Sequence, residues 1–187
     1  GRYESWGKIE ILAYPANETA YLPGTSVRAT KPGQASGPPQ RVMVEHLTKP
    51  VGTKDAVVPR GYLLPADMAD IAAKLRAHNI TVQAITSPLK AEGEQFVVNR
   101  MAKTRRGGLN LTIIDGGFFG PSVREFPAGS FLVDLAQPMA NAAFYYLEPQ
   151  AADGFVGAGL LDEYLKRLGA DERPVVFPVF KYRKILP

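Results

Sequence analysis

The feature that most constrains the fold is residues 60–86, where two short apolar runs flank an amphipathic helical pattern. Gly61–Leu64 predicts a buried strand, and Pro65 suits the first turn of a helix. Four apolar residues recur at the spacing of one helix face: Met68, Ile71, Ala72 and Leu75. The helix is predicted to end near His78, because Asn79 accepts the left-handed conformation of a helix stop. A strand over 81–85 would then complete a parallel crossover.

The rest of the chain predicts more strands than helices. The predicted strands are Lys8–Tyr14, Arg41–Leu47, Glu94–Met101, Leu109–Ile114, Ser130–Leu135 and Val175–Lys181. Pro178 interrupts the last strand and favours an edge position, and residues 116–121 (GGFFGP) predict a loop. Helices are expected over 137–148, with Met139, Ala142, Ala143 and Tyr146 inward, and over 160–168, capped by Gly169. The sequence thus predicts an α+β fold with mixed β-sheets and about three helices, including one strand-helix-strand unit.

Length and composition suggest one main domain with a smaller segment before it. The chain has 187 residues and is 45% hydrophobic, which is enough for a substantial core. Residues 31–39 (KPGQASGPP) read as an exposed loop. We therefore expect N-terminal strands and a Pro/Gly-rich loop over 1–57, packed on an α+β domain over 58–187.

Charge and residue usage exclude several classes of function. The net charge is only +4 and the 22 basic residues are spread along the chain, which does not predict a nucleic-acid-binding face. The chain has no cysteine, so disulfides and thiolate metal sites are excluded. No apolar run approaches the ~20 residues of a membrane span, and no signal peptide is recognisable at the start.

The sequence offers no recognisable catalytic or metal centre. The two histidines, His46 and His78, do not stand in a metal-binding spacing, and no nucleophile elbow is present. Four acids could in principle pair in space: Asp115, Glu125, Asp134 and Glu148. Asp134 lies in the apolar run FLVDL, where the simpler interpretation is a strand with one polar face. We predict no catalytic residue, no metal ligand and no cofactor for this chain.

Four large apolar residues fall between glycines, outside any predicted helix or strand. They are Phe118, Phe119, Phe155 and Val156. Such residues either close the ends of the domain's own core or form an interface with another domain. We treat these four as candidate interface residues.

Several segments together resemble a known family. The segments occur in the same order as related motifs of that family. They are residues 59–66 (PRGYLLPA), 74–82 (KLRAHNITV), 127–138 (PAGSFLVDLAQP) and 147–149 (LEP). This order is similar to the region after the catalytic domain in large bacterial secreted zinc-carboxypeptidase-like proteins, and the similarity covers about 58–182. Asn79 replaces the family's glycine, and the family's zinc motif, an HxxE pair with a distant third histidine, has no counterpart here.

The resemblance implies a non-catalytic accessory domain that supports the catalytic domain of the same polypeptide or its substrate binding. Zinc would belong to that catalytic domain, the location would be secreted or periplasmic, and a peptide or a cell-wall polymer would be a further partner. Two alternatives stay open. The chain could be an independent peptide- or carbohydrate-binding module that uses exposed aromatic residues. It could also be a small hydrolase with an unrecognised carboxylate site.

Overall fold

A computed structural model describes residues 2–13, 38–51 and 55–187. By its internal contacts the chain divides into two units, Gly1–Ala56 and Val57–Pro187. No helix within the described residues is long and apolar enough to cross a membrane.

The first unit consists of two antiparallel strand pairs. Strand β1 (Arg2–Glu4) pairs with β4 (Lys49–Val51), and β2 (Lys8–Ala13) pairs with β3 (Gln40–Glu45). The strands predicted near 8–14 and 41–47 are therefore confirmed, with slightly earlier ends. Most of the Pro/Gly-rich run, residues 31–37, lies outside the described residues. That this unit packs on the second stays a prediction.

The second unit is an α+β domain, as predicted. Its strands are β5 (Gly61–Leu64), β6 (Gln83–Ala84), β7 (Leu89–Arg106), β8 (Leu109–Phe126), β9 (Phe131–Asp134), β10 (Val175–Val176) and β11 (Phe180–Leu186). Its helices are α1 (Ala69–Ala77), α2 (Ala140–Leu147) and α3 (Asp162–Arg167), with a 3₁₀ turn at Ala66–Met68 before α1. All strand pairs are antiparallel, and the order is β6-β9-β5-β11-β7-β8, with β10 beside β7 beyond the end of β11.

The predicted strand-helix-strand unit exists, but its two strands are not neighbours. Strand β9 lies between β5 and β6 and pairs antiparallel with both, through Leu63↔Leu132 and Gln83↔Leu132. Strands β5 and β6 therefore run parallel to each other, as a crossover requires. The local sequence carries no signal for the inserted strand, because β9 follows much later in the chain.

Helix α1 confirms the predicted buried face. Met68, Ile71, Ala72 and Leu75 are each at most 1% exposed. Asn79 adopts a φ of 60°, the left-handed conformation expected of a helix stop. Gly169 follows α3 with a φ of 87°, again as predicted. In α2 the buried residues are Ala143 and Leu147, whereas Met139 precedes the helix and is exposed.

The sheet separates two apolar clusters. Tyr62 and Leu64 belong to the larger cluster, which includes the buried residues of the three helices, while Leu63 belongs to the smaller one. Since neighbouring strand residues point to opposite faces, the helices cover one face and the smaller cluster lies on the other. In the smaller cluster the rings of Phe126 and Phe180 lie 5.8 Å apart.

The hairpin of β7 and β8 is much longer than predicted. Residues 116–121 continue β8, so the expected loop there is wrong. Its glycines allow close packing: a Cβ at Gly116 would lie 2.0 Å from the carbonyl oxygen of Val97, and one at Gly93 would lie 1.9 Å from that of Lys181. Gly107 and Gly108, both at positive φ, form the two-residue turn.

The edge position predicted for the last strand holds for its first part, β10, which pairs only with β7, but is wrong for its second part, β11. The chain breaks around Pro178 into β10 and β11, and β11 lies inside the sheet between β5 and β7. Because the break places the proline between strands, Pro178 removes no hydrogen bond from either ladder.

Replacement of Leu75 by Asp should unfold the second unit. Loss of a core leucine alone costs ~2–5 kcal/mol, and a buried carboxylate adds to that cost. Lys74→Asp, at the exposed neighbouring position, is the matched control and should be nearly silent. Thermal melts followed by circular dichroism check both variants, and two equally mild effects would contradict the assigned face.

Candidate functional site

Two of the four candidate interface residues lie side by side on β8 and point in opposite directions. The ring of Phe118 packs edge-on against Phe96, with centroids 5.0 Å apart. Phe118 is nevertheless 37% exposed, and Phe119 is 58% exposed. Because side chains alternate along a strand, the position of Phe118 directs Phe119 outward.

The other two candidates are buried. Phe155 is 4% exposed and Val156 is 1% exposed. The ring of Phe155 stacks on Tyr146, with centroids 4.9 Å apart and planes 8° from parallel. Phe155 and Val156 thus form part of the domain's own core, so the interface expectation does not hold for them.

A buried charged cluster lies next to Phe118. The side chain of Lys181, in β11, is only 3% exposed. Its Nζ lies 2.8 Å from Oε1 of Glu148 and donates to the backbone oxygen of Val57 at 3.2 Å. The ring centroid of Phe118 is 4.0 Å from the same nitrogen, a cation–π distance. An ammonium group has three donors, and these three neighbours provide a partner for each.

Glu148 completes this cluster at the end of α2. Its carboxylate is 8% exposed and accepts a hydrogen bond of 2.5 Å from the hydroxyl of Tyr62. Burial, followed by the charge and hydrogen bond of Glu148, raises the pKa of Tyr62. The tyrosine therefore stays protonated and serves as a hydrogen-bond donor. We call Tyr62, Phe118, Glu148 and Lys181 the lysine cluster.

Asp134 forms a separate cluster on the opposite face of the sheet. It accepts hydrogen bonds from the Tyr182 hydroxyl at 3.0 Å, from Arg60 at 3.3 Å and from the backbone nitrogen of Ala136 at 2.7 Å. Burial alone would raise the pKa of Asp134, but these hydrogen bonds and the arginine charge lower it. Burial of Tyr182, followed by its hydrogen bond to Asp134, raises the pKa of this tyrosine. Asp134 is thus a stabilised carboxylate.

The acids do not converge on one site. Lys181 and Tyr182 are consecutive residues of β11 and point to opposite faces, so their partners Glu148 and Asp134 lie on opposite sides of the sheet. Glu125 faces Lys90 at 3.7 Å, and Asp115 is exposed. This arrangement does not form the carboxylate pair that the hydrolase alternative requires.

Each of the two histidines contacts a different kind of side chain within its own unit. His46, in the first unit, lies 2.9 Å from the hydroxyl of Thr48, whereas His78, in the second unit, packs on Tyr146 with ring centroids 5.0 Å apart. Within the described residues, no three His, Cys, Asp or Glu side chains are grouped so that they could hold a metal ion.

Several clefts open on the second unit. One, of about 470 Å³, lies where Ile85, Lys90, Glu125 and Leu132 come near Ile185. Another, of about 530 Å³, lies between α3, β10 and β8 and has two arginines in its wall. Neither of these two is lined by two acidic side chains. A smaller cleft of about 360 Å³ follows α3 and has Asp171 and Glu172 in its wall, together with basic side chains.

Two features of this part of the molecule are not apparent from the sequence alone. The lysine cluster joins residues far apart in the chain, and only the apolar run VVFPVF before Lys181 hinted that this lysine is buried. The second feature is a set of exposed apolar side chains at alternate positions of β8 up to its bulge after Phe119: Leu109, Ile113 and Phe119, which are 54–67% exposed. We call these three residues the β8 row. Its alternation was hidden by the glycines that suggested a loop.

Comparison with known proteins found two similar fungal proteins. They are Carboxypeptidase 2 of Trichophyton tonsurans and Carboxypeptidase 2 of Trichophyton equinum, each 29% identical to this chain over 105 residues. The matched region covers 55% of this chain but only 19% of either relative, about a fifth of its length. No family model and no solved structure matches. The similarity supports a carboxypeptidase-related protein, and because both relatives are fungal, it does not support the bacterial part of the resemblance.

Removal of one charge from the lysine cluster should destabilise the second unit strongly. Lys181→Met leaves the Glu148 carboxylate buried without its cation, which costs on the order of 3 kcal/mol. The further change Glu148→Gln should recover part of this loss, because the amide oxygen still accepts from Tyr62. Urea unfolding gives the free energies.

The exposed pair Lys90 and Glu125, each 58% exposed, provides the control. Lys90→Met should change the free energy of unfolding by less than about 1 kcal/mol. If Lys181→Met were equally mild, the lysine cluster would not be a buried ion pair.

Proposed function

We propose that this chain is a non-catalytic accessory domain of a carboxypeptidase-like protein and that the β8 row contacts the catalytic domain of the same polypeptide. The observation that carries the proposal is the β8 row itself, three large apolar side chains exposed on one face of one strand. Exposed apolar side chains grouped on one element are typical of a surface that another domain covers.

Strand pairing and ring contacts hold the β8 row in the sheet. Strand β8 pairs with β7 from Leu109 to Phe119, with one register shift, and Phe118, next to the row, contacts Phe96 and Lys181. A docking surface whose side chains are already ordered loses little conformational entropy on binding. This property favours a stable contact between domains.

The composition of the row favours a domain interface over a ligand platform. Phe119 is the one aromatic residue among the three, beside Leu109 and Ile113. A platform for sugar rings would offer several aromatic faces, whereas aliphatic and aromatic side chains together are typical of the buried centre of an interface. The independent binding module is therefore the weaker candidate.

The proposal assigns the chemistry to the catalytic domain. Zinc would be held there, and this chain would contribute no metal ligand. Secretion of the whole protein is part of the same proposal. The similarity to two proteins named Carboxypeptidase 2, over about a fifth of their length, supports the assignment.

Phe119→Ser should weaken the contact between the two domains without changing this chain's own stability. Loss of a central aromatic contact in an interface typically costs about 2 kcal/mol, roughly a thirtyfold loss of affinity. The measurement is binding of this chain to the separately produced peptidase region of the same gene, by calorimetry. Urea unfolding of Phe119→Ser alone should differ from the parent chain by less than about 0.5 kcal/mol.

Ile185→Ser is the matched control, since Ile185 is an apolar residue, 42% exposed, outside the β8 row. Its affinity for the peptidase region should be unchanged. A gene that encodes no peptidase region beside this chain would contradict the proposal. Equal affinities for Phe119→Ser and the parent chain would contradict the assigned surface.

A further inference from the structure

The cleft of about 530 Å³ between α3, β10 and β8 combines positive charge with an apolar wall. Arg124 and Arg173 line it together with Gln95 and Tyr164, and Val175 and Pro178 are among its apolar residues. The lining contains no acidic side chain.

Arg124 is the more constrained of the two arginines. It stands opposite Ala91 on β7, and its guanidinium crosses that strand to donate to the backbone oxygen of Pro178 at 3.3 Å. It also lies over the ring of Phe126, 4.8 Å from the centroid. Burial lowers the pKa of Arg124, and the Coulombic interaction with the nearby Tyr164 offsets only part of this decrease. Across the described ranges 2–13, 38–51 and 55–187, no carboxylate lies within 4.0 Å of this guanidinium.

Arg173 provides a second donor group at the cleft. It is exposed, and among the residues whose placement is described no carboxylate forms an ion pair with it either. Tyr164 is already engaged, because its hydroxyl donates to Asp67 at 2.9 Å. The free donors of the cleft are thus chiefly guanidinium groups, which match the geometry of an oxyanion and can bind it through two hydrogen bonds.

We propose that this cleft binds the oxyanion group of a small ligand, a carboxylate or a phosphate, between Arg124 and Arg173. An apolar part of the ligand would lie against Val175 and Pro178. A ligand anion would give the half-buried charge of Arg124 the counter-ion that the described residues do not provide. No residue of the β8 row lines this cleft, although Gln95 pairs with Phe119. Binding of the ligand does not require the domain contact proposed above.

The test is a titration of the 187-residue chain followed by ¹H–¹⁵N NMR, including the arginine side-chain Nε–Hε signals. The probes are inorganic phosphate, N-acetyl-dialanine with a free carboxylate, and the same dipeptide as its C-terminal amide. We expect saturable shifts at Arg124 and Arg173 with phosphate or the free acid and none with the amide. Tighter binding of the free acid identifies a carboxylate ligand, and tighter binding of phosphate identifies a phosphate ligand.

Variants locate the binding. Arg173→Gln should weaken it roughly tenfold, the effect of losing one charge-assisted hydrogen bond, and since Arg173 is exposed this variant should remain folded. Arg124→Lys should also weaken binding, because a lysine cannot form the bidentate contact. Arg100→Gln, at an exposed arginine of β7 outside the cleft, should leave affinity unchanged. Absence of saturable shifts with both anions, or affinities that neither Arg173→Gln nor Arg124→Lys alters, would overturn the proposal.

Discussion

The buried ammonium group of Lys181 is the interaction on which the second unit depends most. It lies in the central strand β11, and its partners come from three distant parts of the chain: Glu148 after α2, Val57 before β5 and Phe118 in β8. A buried charge is tolerated only when all its donors have partners. This requirement fixes the end of α2 and the course of β8 relative to the sheet.

The surface of β8 follows from the same requirement. Since the ring of Phe118 lies over the ammonium group, the alternation of the strand directs Phe119 to the outside. Gly93 permits β11 to approach β7 closely enough for this arrangement, because a Cβ there would collide with the backbone of Lys181. The contact between the buried ammonium group of Lys181 and the ring of Phe118 therefore also accounts for the exposure of Phe119 in the β8 row.

Local patterns in the sequence predicted local structure well. Helix α1 and its buried face follow from the helical spacing of apolar residues close together in the sequence. The end of the helix follows from the tendency of Asn79 to adopt the left-handed conformation. The features that were missed all depend on residues far apart. Strand β9 inserts between β5 and β6, Glu148 meets Lys181, and the glycines of β8 serve close packing, where sequence alone suggested a loop. Of the candidate interface residues, Phe118 and Phe119 remain accessible, whereas Phe155 and Val156 are in the core.

The most direct test of this account is NMR observation of lysine ammonium groups in ¹⁵N-labelled protein at neutral pH. Exposed ammonium protons exchange rapidly with water, whereas those of a buried group that contacts a carboxylate, a carbonyl oxygen and an aromatic ring exchange slowly. The account predicts a persistent ammonium signal that disappears in Lys181→Met, with contacts from its protons to the ring of Phe118. A Lys181 signal that exchanges as fast as those of the exposed lysines, or that shows no contact with Phe118, would contradict it.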